Sequence, residues 1–203
     1  MELAELTVRG FTEEIASASP APGGGSAAAL AGAVGAALTA MVSGLTLGRK
    51  KYEAVQELAL RVQAQADALR KRLLAAMEQD TQAFLQVSAA YAMPKQTPEE
   101  KQARSSAIEQ GLKACTQPPL AVMQLCAEGL ELLESLLGKT NATAASDFGV
   151  ACLSLRAGMQ GAWLNVCINT GSLHDAAFAA GARAAGQKLL DTGLPRADRC
   201  YAA

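Results

Sequence analysis

The sequence is poor in aromatic side chains, in histidine and in net charge. Aromatic residues make up only 4% of the 203 residues, although half of the chain is apolar and alanine is very abundant. This composition suits closely packed helices better than sheets built from β-branched and aromatic side chains. It predicts an all-α fold. Because no linker-like segment divides the chain, we expect a single-domain helical bundle over residues 1–203.

The single histidine and the near-zero net charge exclude several kinds of function. With 18 Lys and Arg against 19 Asp and Glu, the chain has no global field to hold a polyanion, so no nucleic-acid partner is expected. His174 is the sole histidine, which leaves too little for a His-based triad or a transition-metal site, and no metal is expected. The Gly23-Gly24-Gly25 run lacks the spacing and the preceding strand of a nucleotide-binding loop.

Cysteine use and the first residues favour a cytoplasmic protein. Five cysteines, an odd number, lie mostly within apolar helical pattern and show no Cys-x-x-Cys spacing, which is typical of reduced, buried thiols. Residues 1–14 contain four glutamates and one arginine, rather than the basic start and apolar core of a signal peptide.

A long uncharged run covers residues 15–48, which is enough to cross a bilayer. It consists mostly of Ala, Gly, Ser and Thr, whose transfer into lipid gains little free energy, and it includes a Pro/Gly turn. A central helix buried in a soluble bundle or against a partner subunit explains it better, and no membrane partner is expected. Small residues such as Ala29, Gly32 and Ala33 would let neighbouring helices approach closely.

The loop Pro20–Ser26 (PAPGGGS) leads into this central helix. Its prolines and glycines cannot continue a helix, whereas Ser26 before three alanines indicates an N-cap. Without Cβ atoms, Gly23, Gly24 and Gly25 would let a ligand lie against backbone N–H groups at the positive end of the helix dipole. The loop is therefore either a binding cradle or merely a tight connection into a buried helix.

Periodicity and breakers place the helices. The predicted spans are 2–17, 27–47, 53–93, a helix from 98 that the pair Pro118-Pro119 must kink or divide, 120–137, 142–170 and 175–191. Thr97 is expected to cap the helix that begins at Pro98, and Gly48 and Gly138 are expected to end the helices before them.

Asp80 interrupts the apolar stripe of the helix 53–93. It lies eighteen residues, or five full turns, beyond Val62, so it faces the core. A carboxylate on a buried face is desolvated, which raises its pKa toward the range of proton exchange at neutral pH. Asp80 is therefore a candidate acid/base group, or a structural aspartate held by an arginine or by backbone donors.

Two other polar features each allow a binding role and a structural one. Lys50 and Lys51 follow Arg49 just beyond an apolar helix, where they complement a helix C-terminus or clamp a substrate carboxylate. Asp147 and Asn165 are also eighteen residues apart, with Asn169 one turn beyond. This polar seam is either a binding surface for a heterocycle or an inter-helix hydrogen-bond network.

Together these motifs resemble the formiminotransferase-cyclodeaminase C-terminal domain family, over nearly the whole chain. The resemblance rests on PAPGGGS at 20–26, RKKY at 49–52, DTQAF at 80–84, Asn141 with Asp147, and NVCIN at 165–169. It implies an all-helical fold, a homodimer at least, and a tetrahydrofolate derivative as substrate, with or without a polyglutamate tail. No tightly bound cofactor is implied.

The resemblance also implies roles for individual residues. The family's acid/base carboxylate stands in an Asp-x-x-Ala-Phe setting, which maps onto Asp80. Lys50 and Lys51 would bind the anionic glutamate tail. The expected substrate-binding residues are Gly23, Gly24, Gly25, Ser26, Lys50, Lys51, Asn141, Asp147, Asn165 and Asn169.

The implied reaction is cyclodeamination of 5-formiminotetrahydrofolate to 5,10-methenyltetrahydrofolate and ammonia, with Asp80 serving both proton transfers. The alternative reaction is methenyltetrahydrofolate cyclohydrolase activity, in which water opens the same ring to give 10-formyltetrahydrofolate. A non-catalytic folate-binding module and a helical scaffold are alternatives from other classes of protein.

Overall fold

The computed structural model describes residues 2–202, and all regular secondary structure among them is helical. The α-helices are α1 (Val8–Ala16), α2 (Gly24–Thr46), α3 (Gln56–Tyr91), α4 (Pro98–Ser135), α5 (Ala145–Gly171) and α6 (Ala176–Tyr201). Short 3₁₀ segments cover Leu3–Glu5, Lys50–Val55 and Ala142–Ala144. The all-α prediction is confirmed.

Helix α2 occupies the centre of the bundle, where it packs along α3 and α5 and also contacts α4. Its glycines lie where the neighbouring helices come closest. A Cβ at Gly32 would lie 2.8 Å from Sγ of Cys126 on α4, and one at Gly35 would lie 2.7 Å from Cγ of Leu155 on α5. By length and composition α2 could span a membrane, but half of its most apolar window is buried inside the molecule. Its small residues therefore set the close approach of the helices.

The main hydrophobic core draws on all six helices. The apolar stripe predicted on α3 is buried, with Val62 and Leu73 fully enclosed and Met77 1% exposed. Leu130 of α4 and Leu155 of α5 are likewise fully enclosed. Because each helix turns one apolar side inward, long helices with few aromatic residues still bury a continuous core.

The N-terminal helix boundaries differ from those predicted. In place of one helix over 2–17, a 3₁₀ turn at Leu3–Glu5 precedes α1, because the Thr7 hydroxyl accepts a hydrogen bond from the Gly10 N–H at 3.0 Å and caps the helix there. The prediction that Ser26 caps α2 is wrong. The helix begins at Gly24 with Gly23 as its N-cap, and the Ser26 hydroxyl forms hydrogen bonds to α3 instead.

Two helices continue past prolines that lie inside them. Helix α4 is not divided at Pro118-Pro119, and α6 runs through Pro195 to Tyr201 rather than ending at residue 191. The last turns of α6 are held by Arg196 and Arg199, whose guanidinium groups form ion pairs with Glu134 of α4. These tertiary contacts therefore offset the free energy that proline costs when it removes a backbone N–H donor from the helix.

Other boundary predictions are confirmed by the backbone. Gly48 and Gly138 have φ values of +70° and +68°, a conformation that glycine adopts without the steric cost of a Cβ. Thr97 caps α4, and its hydroxyl and the Glu100 carboxylate form a reciprocal capping box. The connection from Gly48 into α3 is a 3₁₀ segment, so α3 begins at Gln56 rather than near residue 53.

Candidate active site

A pocket of about 140 Å³ lies where the N-terminus of α2 meets α3, α4 and α5. It brings together six of the predicted site residues: Gly23, Gly24, Gly25, Asp80, Asn165 and Asn169. The other lining residues are Pro20, Ala21, Thr81, Phe84 and Cys115. Thr81 and Phe84 belong to the quoted DTQAF motif, but nothing in the sequence pattern singled out Cys115.

The carboxylate of Asp80 lies directly against the glycine loop. A Cβ built on Gly25 would overlap both carboxylate oxygens of Asp80. The hydroxyl of the buried Ser26 is 3.1 Å from Asp80 Oδ2, and it also lies 3.0 Å from the Thr81 hydroxyl. Glycine at position 25 therefore provides the space that the carboxylate occupies, and Ser26 fixes its orientation.

Two opposing effects act on the protonation of Asp80. Burial raises the pKa of its carboxyl group, and hydrogen bonds from the side chain and backbone of Ser26 lower it, with burial the larger effect. In the part of the chain that the structure describes, no Lys or Arg forms an ion pair with Asp80. The carboxylate is held by α2 rather than by an arginine, so it has no cation to offset its charge.

Cys115 is the other titratable group that lines the pocket. Burial, with a smaller contribution from the Asp80 charge, raises the pKa of its thiol to about 11. The thiol is therefore protonated at neutral pH and is a poor nucleophile. Of these two groups, Asp80 is therefore the one that can exchange a proton in this pocket.

Asn169 is tied to the proline pair of α4. Its Nδ2 donates a hydrogen bond of 2.8 Å to the carbonyl oxygen of Cys115. That carbonyl would normally accept from the N–H four residues later, but position 119 is Pro119, which has none. The side chain of Asn169 thus replaces a missing backbone donor, which explains how α4 continues past the prolines beside the pocket.

Asn165 makes a weaker structural contribution. Its Nδ2 donates at 3.0 Å to the Gly161 carbonyl, one turn earlier on the same helix. With the amide nitrogens of Asn165 and Asn169 bound to carbonyls, their Oδ1 atoms are the groups available to accept hydrogen bonds from a ligand. The two asparagines are therefore both packing elements and potential ligand contacts.

The remaining predicted binding residues do not lie in this pocket. Lys50, Lys51, Asn141 and Asp147 lie at the opposite end of α2, and the rise of about 1.5 Å per residue puts that end roughly 33 Å away. Lys50 and Lys51 are exposed on the 3₁₀ segment. Asp147 lies in the first turn of α5.

Asn141 is buried and committed to contacts within the protein. Its Nδ2 donates to the Leu45 carbonyl at 3.2 Å, its backbone N–H donates to the Thr46 hydroxyl at 3.0 Å, and its Oδ1 accepts from the Thr143 N–H at 3.2 Å. It joins the end of α2 to the start of the segment leading into α5. Within one chain, Asn141 holds the fold together at a distance from Asp80.

Comparison with known proteins agrees with the fold. The family model described as formiminotransferase-cyclodeaminase matches residues 7–188. A methenyltetrahydrofolate cyclohydrolase of Methylorubrum extorquens is 44% identical over 173 residues, covering 85% of this chain and 83% of that protein. The formimidoyltransferase-cyclodeaminase of Mus musculus is 34% identical over 176 residues, covering 87% of this chain but only 32% of the mouse protein.

A solved structure shares the same architecture. The crystal structure of formiminotetrahydrofolate cyclodeaminase from Thermotoga maritima superposes with a TM-score of 0.83 at 27% sequence identity, covering 99% of this chain and 94% of that one. The family predicted from the sequence motifs is confirmed. This chain belongs to the formiminotransferase-cyclodeaminase family.

Proposed function

We propose that this protein is a methenyltetrahydrofolate cyclohydrolase, which opens 5,10-methenyltetrahydrofolate to 10-formyltetrahydrofolate. The observation that carries the proposal is the Asp80 carboxylate, which is half-buried in a pocket and has no ion-pair partner among residues 2–202. The methenyl bridge of the substrate is an amidinium cation, which would supply that missing positive charge. The 44% identical cyclohydrolase, matched over most of its length, supports the same choice.

In the proposed reaction Asp80 moves two protons. As a general base, its carboxylate accepts a proton from the water that adds to the methenyl carbon. The resulting tetrahedral carbon carries a hydroxyl group and is still bonded to both N5 and N10. As the bond to N5 breaks, the protonated Asp80 gives its proton to N5, and the hydroxyl loses its own proton to solvent to become the carbonyl of the formyl group on N10. The reaction therefore consumes one water and releases one proton.

Geometry gives the other residues supporting roles. Gly23 and Gly24 would allow the folate ring to lie against the backbone at the start of α2. The Oδ1 atoms of Asn165 and Asn169 would accept hydrogen bonds from its N–H groups. Ser26 would hold the carboxylate toward the reacting carbon.

Cyclodeamination is the second candidate, favoured by the superposition on the Thermotoga maritima enzyme. There N10 attacks the formimino carbon, Asp80 takes the proton from N10, and the departing nitrogen receives a proton as ammonia leaves. Both reactions pass through a tetrahedral carbon between N5 and N10. The same carboxylate would serve either one.

One absorbance experiment separates these reactions. Purified protein is mixed with 5,10-methenyltetrahydrofolate, and separately with 5-formiminotetrahydrofolate, while the methenyl chromophore is followed. The proposal predicts enzyme-dependent loss of the chromophore from the first substrate, and no faster gain from the second than without enzyme. Fast gain from the second would assign cyclodeamination instead.

Binding without turnover would indicate a folate-binding module, and neither binding nor turnover would indicate a scaffold. Thermal melting with and without folate distinguishes these two outcomes. A ligand that binds only the native state must raise the melting temperature.

A further inference from the structure

We propose that Thr81 is a positioning residue, which acts on the Asp80 carboxylate through the hydroxyl of Ser26. The Thr81 hydroxyl donates a hydrogen bond to Ser26, and Ser26 in turn donates its single hydrogen to Asp80. These three side chains form a hydroxyl chain that leaves α3 at Thr81, passes through α2 and returns to α3 at Asp80. The catalytic use of Asp80 rests on the proposed function, whereas the hydroxyl chain itself does not.

The surroundings of Ser26 limit where its hydrogen can point. Its Oγ atom lies 3.1 Å from Asp80 Oδ2 and 3.4 Å from the carbonyl oxygen of Met77, both of which are acceptors. It also lies 3.0 Å from Thr81 Oγ1, which can donate or accept. A serine hydroxyl has one hydrogen, so Ser26 can donate to only one of these neighbours at a time.

The ionised carboxylate of Asp80 takes this hydrogen. A carboxylate can only accept, and a hydrogen bond to a charged acceptor is about twice as strong as one between neutral groups. Asp80 is also closer to Ser26 than the Met77 carbonyl is. Because the Ser26 hydrogen is committed to Asp80, the bond between Ser26 and Thr81 must use the hydrogen of Thr81.

The hydroxyl of Thr81 is turned away from its own helix. A threonine inside a helix commonly donates to the carbonyl oxygen four residues earlier. The chain shows this bond at Thr12, Thr39, Thr46, Thr116, Thr170 and Thr192. For Thr81 that carbonyl would be Met77, yet within residues 2–202 the Thr81 hydroxyl bonds only to Ser26. Its hydrogen is therefore directed to α2.

Burial makes Thr81 the donor that Ser26 depends on. Ser26 is 0% exposed, so a donor to its oxygen must come from the protein. Thr81 is half-buried, lines the pocket and fills this place. With one donor behind it and one acceptor in front, the Ser26 hydroxyl is held in a single orientation. Valine at position 81 has nearly the size of threonine, so it would remove the donor without admitting water.

The hydroxyl chain also fits the protonated state of Asp80. Once Asp80 has accepted a proton, its carboxyl group can donate to Ser26, and the Ser26 hydrogen can turn to the Met77 carbonyl at 3.4 Å. Thr81 keeps donating throughout, because a hydroxyl oxygen has two lone pairs. Ser26 thus stays in place while its hydrogen changes acceptor, and the carboxyl group keeps its position as it gains and loses a proton.

The other groups that face Asp80 keep their charge near neutral pH. From α4 it faces the thiol of Cys115, whose pKa burial raises to about 11. From α5 it faces the neutral amides of Asn165 and Asn169, and α2 carries no charged side chain. On α3, the Glu78 carboxylate accepts a hydrogen bond from the N-terminal 3₁₀ segment. In the described part of the chain, no Lys, Arg or His lines the pocket.

Removal of the Thr81 hydroxyl should raise the pKa of Asp80. Hydrogen bonds from Ser26 lower that pKa, and a second donor in a chain strengthens the first bond by about 10–30%. Thr81→Val should therefore move the titration midpoint of Asp80 to higher pH, but by less than Ser26→Ala does. On the acid limb of the pH profile, kcat/KM should fall about two-fold relative to wild type. NMR titration of the ¹³C-labelled aspartate carboxyl groups measures the midpoint, and Asp80→Asn identifies the signal.

Two further variants separate the hydroxyl from the rest of the side chain. Thr81→Ser keeps the hydroxyl and removes only a methyl group, so its midpoint should equal that of wild type. Thr192→Val removes a hydroxyl that donates only to carbonyls of its own helix, α6, and it should also leave the midpoint unchanged. Melting curves check that each variant is folded. An unmoved midpoint in Thr81→Val, or an equal shift in Thr81→Ser, would overturn the role of the Thr81 hydroxyl.

The double variant Ser26→Ala/Thr81→Val tests whether Thr81 acts through Ser26. Because Ser26→Ala already breaks the hydroxyl chain, adding Thr81→Val should move the midpoint no further. A further shift equal to that of Thr81→Val alone would mean that Thr81 acts on Asp80 without Ser26, and would overturn the proposal. The NMR titration needs no folate. Midpoints that follow these expectations in a protein without folate turnover would therefore reject the proposed function alone.

Discussion

The hydroxyl of Ser26 and the carboxylate of Asp80 lie 3.1 Å apart, although 54 residues separate them in the sequence. The contact joins the first turn of α2 to α3 and holds the carboxylate at a helix N-terminus, where the backbone dipole favours negative charge. Burial acts in the opposite direction and raises the pKa of Asp80. These opposing effects suit a group that must both accept and release a proton.

Because Asp80 packs against Gly25, alanine at position 25 should lower turnover far more than alanine at the neighbouring position 24. In Gly25→Ala the new methyl group would overlap the carboxylate, which would rotate away, so turnover should fall on the order of 10²-fold. The matched control is Gly24→Ala, whose Cβ would lie 3.9 Å from Nδ2 of Asn165 and would not meet Asp80, so its kcat should stay within a few fold while folate binding weakens. Both variants should melt close to wild type. Equal turnover in the two variants would refute the positioning role of Gly25.

Removal of the Ser26 hydroxyl should shift the pH dependence of the reaction. Hydrogen bonds from Ser26 lower the pKa of Asp80 against the larger effect of burial, so Ser26→Ala should raise that pKa further. The general base must be ionised, so activity falls as pH drops through the pKa of Asp80. The acid limb of the kcat/KM profile should therefore move to higher pH in the variant. An unmoved acid limb would mean that Asp80 does not control it.

Asn169 should matter for stability more than Asn165 does. Asn169→Ala leaves the Cys115 carbonyl without a donor and should reduce the free energy of unfolding by about 1–3 kcal/mol. Adding Pro119→Ala restores a backbone N–H at the position that serves this carbonyl, and should recover part of the loss. Asn165→Ala is the control, because Nδ2 of Asn165 bonds only to Gly161 in its own helix. Denaturant unfolding of these variants measures the coupling, and strictly additive losses would disprove it.

The helical fold and the face of Asp80 could be predicted because they depend on local pattern. Thr97 and Gly48 mark helix ends through backbone chemistry that acts within a few residues. The spacing of Asp80 from Val62 places both on the inner side of α3 by helical geometry alone. The burial of that side along α3 follows from the same periodicity.

The roles of Ser26 and Pro119 could not be predicted in this way, because each depends on a contact that is distant in sequence. Ser26 has the residue type of an N-cap, yet its hydroxyl bonds to α3. Pro119 has the residue type of a helix breaker, yet Asn169 supplies the missing donor. Helical wheels also carry no information on distance along an axis, so Asp147 and Asn165 share a side of α5 but lie about 27 Å apart.

Lys50 and Lys51 should favour substrates with a longer folate tail. Lys50→Ala/Lys51→Ala should lower kcat/KM for polyglutamylated substrates more than for the monoglutamate, because each added glutamate brings another carboxylate. The double variant should also show a weaker dependence of kcat/KM on salt. The measurement is the ratio of kcat/KM for the two substrates at low and high salt. A ratio equal to that of wild type would exclude the two lysines from tail binding.

Asp80→Asn should leave stability unchanged or increase it at neutral pH. Because the pKa of Asp80 is raised in the folded state, its contribution to the free energy of unfolding is present at low pH and is lost as pH rises through the folded-state pKa. Asparagine removes that pH-dependent loss. Wild type should therefore gain stability relative to the variant on mild acidification. By contrast, a loss of about 3–5 kcal/mol at neutral pH would be the result of breaking a buried ion pair.

Turnover by Asp80→Asn tests the proton-transfer role of Asp80 most directly. Asparagine keeps the size and much of the hydrogen bonding but cannot exchange the proton, so kcat for methenyltetrahydrofolate hydrolysis should fall by at least about 10²-fold. Folate affinity should fall much less than kcat, because asparagine keeps the hydrogen bonds and loses only the charge that faces the amidinium cation. The control is Asp67→Asn, the same change at an exposed, ion-paired position on α3, which should keep wild-type kcat. Near wild-type kcat in Asp80→Asn, together with a much lower melting temperature, would show that Asp80 holds the fold and does not transfer the proton.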